Sequence, residues 1–267
     1  FIKLGANDFL IKPFLSEEFY CRINQILETI EHVRKLGELS DLKNKFVGMA
    51  AHDLRNPIST IKGYAGLLLG GAVGEVKPEQ ATLLQNIDKN CQGMLDLVND
   101  LLDVSLIESG GLELNPEQHL LSDTVRERVE VLLPMVKAKG MTVEMLFPAD
   151  EPQVAFDFNL IGQAVENLLS NAIKYSYADS SIEVSVDHEP GHVTLTVEDH
   201  GQGIPEEEQS LLFKDFQKLS VRPTAGEKST GLGLAIVKRV LDAHQGSLAV
   251  QSSPGLGSAF SFSLPVK

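Results

Sequence analysis

His52 stands in the run Ala51-His52-Asp53-Leu54-Arg55-Asn56-Pro57, where its neighbours suit it to nucleophilic chemistry. An imidazole attacks through one ring nitrogen when the other keeps its proton in a hydrogen bond, and a carboxylate such as that of Asp53 can hold that proton. Successive helix residues do not face each other, so Asp53 has to reach sideways to do so. Asn56, four residues on, shares a face with His52 and could orient a water. Taken alone, a histidine beside a proline is more often a solvated surface residue, so the motif needs support from elsewhere in the chain.

Three other stretches could supply it. In Glu166-Asn167-Leu168-Leu169-Ser170-Asn171-Ala172-Ile173-Lys174-Tyr175, the residues Asn167, Asn171 and Lys174 fall on one helix face, and Val165, Leu168, Leu169, Ala172 and Ile173 cover the other. Asparagine is a poor helix former, so two on one face cost stability without a packing gain. Either the face is merely solvated, or it offers an amide oxygen to a hard cation and an ammonium to phosphate. Glu198-Asp199-His200-Gly201-Gln202-Gly203 follows an alternating strand. A carboxylate at a strand end can accept hydrogen bonds from the amino group of a base, and glycines permit close approach of a ligand. Gly231-Leu232-Gly233-Leu234 opens into a helix whose first N–H groups suit phosphate. Between these, residues 214–230 are polar, contain Pro223 and Gly226, and read as a lid over a site.

These groups need a scaffold, and the hydrophobic spacing supplies one. Phe19, Ile23, Ile26, Ile30 and Val33 form a helical stripe that continues through Leu39, Leu42, Phe46 and Met49 and resumes, shifted by one residue, at Leu54, Ile58, Ile61, Ala65 and Leu68. Ser16 reads as the N-cap of this helix and Gly37 as its weak point. Pro57 removes a hydrogen bond to the carbonyl of Asp53, which predicts a bend beside His52. Gly70, Gly71, Gly74 and Pro78 make a loop. A second helix follows with Leu84, Ile87, Cys91, Met94, Val98 and Leu101 on one stripe, ended by Gly110-Gly111. A lone hairpin cannot bury two wide stripes. Pairing two hairpins can, which predicts a homodimer built on a four-helix bundle.

From about residue 112 the pattern changes. Ile182, Val184, Val186 and Val193, Leu195, Val197 alternate around Glu189-Pro190-Gly191 and read as a hairpin, with further strands at Leu248, Val250 and at Phe260, Phe262, Leu264. Helices are expected over residues 123–139, 160–175 and 232–244. Strands with helices on one face make an α/β sandwich.

Composition sets outer limits. The chain has 267 residues, of which 43% are hydrophobic and 22% charged, an ordinary globular balance. Its 37 acidic against 23 basic residues give a formal net charge of −14, unsuited to gripping nucleic acid or anionic lipid. No apolar run approaches the roughly 20 residues a spanning helix needs. Cys21 and Cys91 stand far apart and form neither a disulfide framework nor a metal site, which fits a cytoplasmic protein. No signal peptide is visible, and a chain beginning at Phe1 reads as part of a longer protein.

Together the motifs resemble those of a sensor histidine kinase. His52-Asp53-Leu54-Arg55-Asn56-Pro57 is similar to that family's phosphoacceptor box, 166–175 to its asparagine box, and Asp199-His200-Gly201-Gln202-Gly203 to its first glycine box. Residues 213–216 resemble its phenylalanine box and Gly231-Leu232-Gly233-Leu234 its second glycine box. The five boxes occur in the family's order. The resemblance implies an α-helical hairpin forming a dimeric four-helix bundle (38–110), followed by a catalytic ATP-binding α/β sandwich of the Bergerat type (111–267), with a connecting helix at 16–37. It implies that His52 takes the γ-phosphate of Mg-ATP and passes it to an aspartate of a response-regulator receiver. Asp53 would assist as base, and Asn56 would position the water that dephosphorylates the partner. Asn167 would hold Mg²⁺, Asn171 and Lys174 would contact phosphates, Tyr175 would flank the nucleotide and Asp199 would bind the adenine amino group. Gly201, Gly203, Gly231 and Gly233 would shape the pocket and lid. The start of the chain, 1–15, resembles the end of a receiver domain, with Lys12-Pro13 before its last helix. Two rivals stay open: another ATPase of the same fold, or a nucleotide-binding dimeric scaffold without turnover.

Overall fold

The structure, a computed structural model, describes residues 16–108, 114–213, 219–225, 227 and 230–266. The expected receiver remnant at 1–15, the Gly110-Gly111 hinge and much of the expected lid lie outside the described residues. The chain divides into two compact units, Phe1–Met49 and Ala50–Lys267.

Helix α1 runs Ser16–Leu69. Within the first unit its stripe is solvent-facing: Ile30, Val33, Leu39, Leu42, Phe46 and Met49 are all exposed. The helix passes Gly37 and Pro57 without interruption. In the second unit α1 is followed by α2, Pro78–Glu108. The two are tied by Arg55 Nη2, which donates to Asn99 Oδ1 at 2.8 Å, and by Lys62 Nζ donating to Gln92 Oε1. Ala51, Ala65, Cys91 and Val98 are buried, whereas Leu54, Ile61, Met94 and Leu97 remain exposed. A hairpin that leaves such residues in water has apolar surface still to cover.

The remainder is a two-layer sandwich. Its elements are β1 (Glu117–His119), α3 (Leu121–Ala138), β2 (Thr142–Leu146), β3 (Val154–Phe156), α4 (Phe158–Tyr175), β4 (Ser181–Glu189), β5 (His192–Asp199), α5 (Glu206–Gln209), α6 (Gly233–Ala243), β6 (Ser247–Ser253) and β7 (Gly257–Pro265). The main sheet has the order β2-β4-β5-β7-β6, antiparallel except for the parallel β2–β4 edge pair. β4 and β5 turn at Pro190-Gly191, as their alternation predicts. Ile182, Val184, Val186, Val193, Leu195 and Val197 are buried and pack in one core with the apolar faces of α3, α4 and α6.

Both leading helices start earlier than their stripes indicate, because acidic side chains satisfy their first N–H groups. The Glu151 carboxylate accepts from Leu121 N at 2.7 Å and Ser122 N at 3.1 Å, and Asp157 Oδ1 accepts from Asn159 N at 3.0 Å and Leu160 N at 3.1 Å. The small β1–β3 ribbon and the edge strand β2 were not expected. They are short, and β2 is largely exposed.

Candidate functional site

His52 sits on the outer face of α1, with its side chain 68% exposed. Its Nδ1 lies 3.3 Å from Asp53 Oδ1, so the sideways reach expected of Asp53 is made. A proton on Nδ1 donated to that carboxylate leaves the lone pair of Nε2 free. Asn56 is exposed one turn further on, and its backbone carbonyl accepts from Thr60 Oγ1 at 2.9 Å.

The other expected residues, Gly201 excepted, line one cleft of about 1200 Å³ between the sandwich and α2. α4 brings Asn167, Asn171, Lys174 and Tyr175 to one wall, at the spacing that puts them on a single helix face. Asp199 and Gly203 come from the end of β5 and the loop after it, and Gly231 and Gly233 from the start of α6. Gly201 is not on the wall. It stands behind it, its N–H donating to Asp199 Oδ1 at 2.9 Å. Gly203 has φ +67°, and a Cβ there would strike the Ser253 carbonyl, so this turn requires glycine. No side chain caps the first turn of α6, which leaves its N–H groups facing the glycine-lined end. His52, Asp53 and Asn56 do not line the cleft.

The cleft's electrostatics follow from burial. Asp199 is 4% exposed, and desolvation pushes its carboxyl up to about 6 despite hydrogen bonds from the backbone of Gly201 and Ser258. Above that value the buried carboxylate is ionised and can accept from a hydrogen-bond donor entering the cleft. Burial lowers the Lys174 ammonium from its ordinary value, against the pull of Asp100, Asp96 and Glu227. The amides of Asn167 and Asn171 make no side-chain hydrogen bond to any described residue, which leaves both oxygens available. Oxygen donors beside a cation and an uncapped helix start fit a magnesium triphosphate. Among the described residues there is no cluster of three His, Cys, Asp or Glu that could hold a metal by itself, so such an ion would be held jointly with the phosphates.

Sequence reasoning missed the wall opposite α4. Asp88, Gln92, Asp96, Asn99 and Asp100 of α2 line the cleft, and Thr230 Oγ1 donates to Asp100 Oδ2 at 2.7 Å. The signal was present as a polar i, i+4 row, but such a row ordinarily marks a solvated face.

Two domain families match the chain. The His Kinase A (phospho-acceptor) domain covers residues 42–110, and the histidine kinase-, DNA gyrase B- and HSP90-like ATPase covers residues 156–267. The adaptive-response sensory kinase SasA of Synechococcus sp. (strain JA-3-3Ab) is 33% identical over 87% of this chain. The chain belongs to the histidine kinases. The non-motile and phage-resistance protein of Caulobacter vibrioides is 32% identical over 84% of this chain. The chain spans 62% of the Synechococcus kinase and 27% of the Caulobacter protein. Full-length ShkA, solved in complex with AMPPNP, superposes with a TM-score of 0.69 at 25% identity, over 83% of this chain and 45% of ShkA. Among the described residues no helix is long and apolar enough to cross a membrane.

Proposed function

We propose that this chain is the transmitter part of a two-component sensor kinase, which phosphorylates itself on His52 from Mg-ATP and hands the phosphoryl group to an aspartate of a response-regulator receiver. The observation that carries this reading is the pairing, on one chain, of an exposed imidazole oriented by its own neighbour with a cleft whose buried carboxylate, amide oxygens and ammonium suit a nucleotide. Phosphoryl transfer asks a protein mainly for positioning and charge neutralisation. Asp199 accepts from the adenine amino group, Tyr175 flanks the nucleotide, and Lys174, Asn171 and the start of α6 receive the phosphates. Asn167 would hold Mg²⁺, which when bound neutralises phosphate charge. The Nε2 lone pair of His52 attacks the γ-phosphorus in line, the bond to the β,γ-bridging oxygen breaks, and ADP departs. Asp53 keeps the Nδ1 proton and balances the imidazolium charge. The imidazole must come within about 3–3.5 Å of phosphorus. Because His52 is not on the cleft wall, the ATP-binding domain has to move, with Gly110-Gly111 as the hinge.

The exposed residues Leu54, Ile61, Met94 and Leu97 support a homodimer. Asn56, exposed beside His52, is the residue for orienting water when the receiver is dephosphorylated. Cys21 and Cys91 are both unpaired, in keeping with a reducing cytoplasm. The domain limits follow the same reading: connecting helix 16–37, phosphotransfer hairpin 38–110 and ATP-binding domain 111–267.

Incubation with γ-labelled Mg-ATP tests the reading. The chain acquires acid-labile, base-stable label, and His52→Ala acquires none. Label retained by His52→Ala rejects the site. ATP hydrolysis that never labels the protein and ignores His52→Ala favours a different ATPase, and nucleotide binding without turnover in the presence of receivers favours a scaffold.

A further inference from the structure

Lys139 follows α3 and lies off the cleft wall, yet its side chain is only 8% exposed. Its ammonium donates to Ile173 O at 2.6 Å, Lys174 O at 3.1 Å and Glu227 Oε1 at 2.9 Å. An ammonium has three protons, so its donors are fully used. Two of the acceptors are carbonyls in the last turn of α4, where a cation is favoured by the helix dipole. The third, Glu227, belongs to the segment between the phenylalanine box and α6. Its Oε2 accepts from Ala225 N at 2.8 Å, and Thr224 N donates to Lys174 O at 3.0 Å. The segment is thus fastened to the helix end that presents Lys174 and Tyr175.

Glu227 itself lines the cleft, and its charge acts on Lys174 after those of Asp100 and Asp96. Burial would raise its carboxyl, but hydrogen bonds from Lys139 and from the local backbone outweigh burial and hold it below the ordinary glutamate value. A carboxylate is therefore kept ionised on the wall of a site meant for phosphates. Unneutralised, it would repel the triphosphate and compete for Lys174.

We propose that Lys139 is a positioning residue for phosphate binding: by pairing with Glu227 it cancels that carboxylate's charge on the cleft wall and keeps it from competing with the nucleotide for Lys174. This rests on the reading of the cleft as an ATP site. A purely structural role, capping α4, would weaken every nucleotide alike. A charge role weakens them in proportion to their phosphates, and removal of the Glu227 charge reverses it.

Calorimetry on the whole chain separates the two, with ATP and AMP as ligands and thermal melts as the check on folding. Lys139→Met weakens ATP by about 30-fold and AMP by less than about threefold, Lys139→Arg stays near wild type, and Lys139→Met/Glu227→Gln recovers ATP binding to within about threefold. Equal losses for ATP and AMP, no loss at all, or a double variant no better than Lys139→Met overturns the proposal. If Lys139→Met fails to fold, Glu227→Gln alone decides, because it leaves the α4 carbonyls capped. ATP then binds as tightly as to wild type or more so, and a selective loss of ATP overturns the proposal. A wild-type chain that binds no ATP overturns the functional reading itself and this inference with it.

Discussion

At the scale of single residues, Asp199 shows affinity and stability pulling in opposite directions. Its carboxyl is raised from 3.8 to about 6 by burial, so the folded chain holds a proton that the unfolded chain has already released between those values. Stability therefore falls as pH rises from about 4 to about 6 and is level above, a cost on the order of 3 kcal/mol in the empty cleft. Nucleotide binding runs the other way, since the ionised carboxylate is the better acceptor for an amino group. ATP affinity should be flat above about pH 7 and fall as pH drops through about 6. Asp199→Asn should flatten that profile, weaken ATP by about 10- to 100-fold at pH 7.5 and raise the melting temperature of the nucleotide-free protein. Calorimetry across pH and a thermal melt check the two halves. A melting temperature lowered by Asp199→Asn would mean that the carboxylate stabilises the fold rather than straining it. The candidate role of Asp199 was legible from a strand end followed by glycines. Its perturbed ionisation was not, because burial by β7 and the Gly201 turn is a tertiary fact.

At the scale of elements, the approach of α6 to α4 ties two parts of the site together. A Cβ added at Gly233 would sit 2.9 Å from Asn167 Oδ1, the atom assigned to Mg²⁺. The glycine thus lets the helix start proposed for the phosphates come against the amide proposed for the metal. Gly233→Ala should keep the fold, since α6 is helical there and alanine is a good helix former. It should weaken Mg-ATP by about tenfold or more, while the metal-free nucleotide loses less. Equal losses with and without magnesium would remove Asn167 from the metal. The elements that carry these groups were readable because α4, β4, β5 and α6 have clean apolar periods and a buried face. β1, β2 and β3 escaped notice for the opposite reason. Three to five residues at a sheet edge show too little alternation, and what fixes them is pairing with β4 or with each other. The early starts of α3 and α4 were hidden likewise, since Glu151 caps α3 from 30 residues away. Pro57 was legible as a proline inside a helix, and α1 continues through it.

At the scale of the whole molecule, the acidic side of α2 opposes the work of the cleft. Asp96 and Asp100 face Lys174, and Thr230, the residue before the second glycine box, is hydrogen-bonded to Asp100. Burial raises the Asp100 carboxyl, while Thr230 and Lys174 pull it back. On the proposed reading, a triphosphate on Lys174 would meet these carboxylates as like charges, and transfer to His52 needs the cleft to leave α2. On that proposal the observed arrangement is one of two states, and any group that stabilises it slows the reaction by its differential contribution. A hydrogen bond between a hydroxyl and a charged acceptor contributes about 1.5–3 kcal/mol, part of which is returned when both groups meet water. Asp100→Ala removes both the bond and the charge and should raise the initial rate of His52 labelling by about three- to tenfold. Asp100→Asn keeps an acceptor for Thr230 and removes only the charge, so it should tighten ATP with a smaller gain in rate. Thr230→Val breaks the bond but keeps the charge, and should raise the rate without tightening ATP. Rates that follow nucleotide affinity alone across the three variants would show that charge, and not the bond to Thr230, holds the cleft against α2.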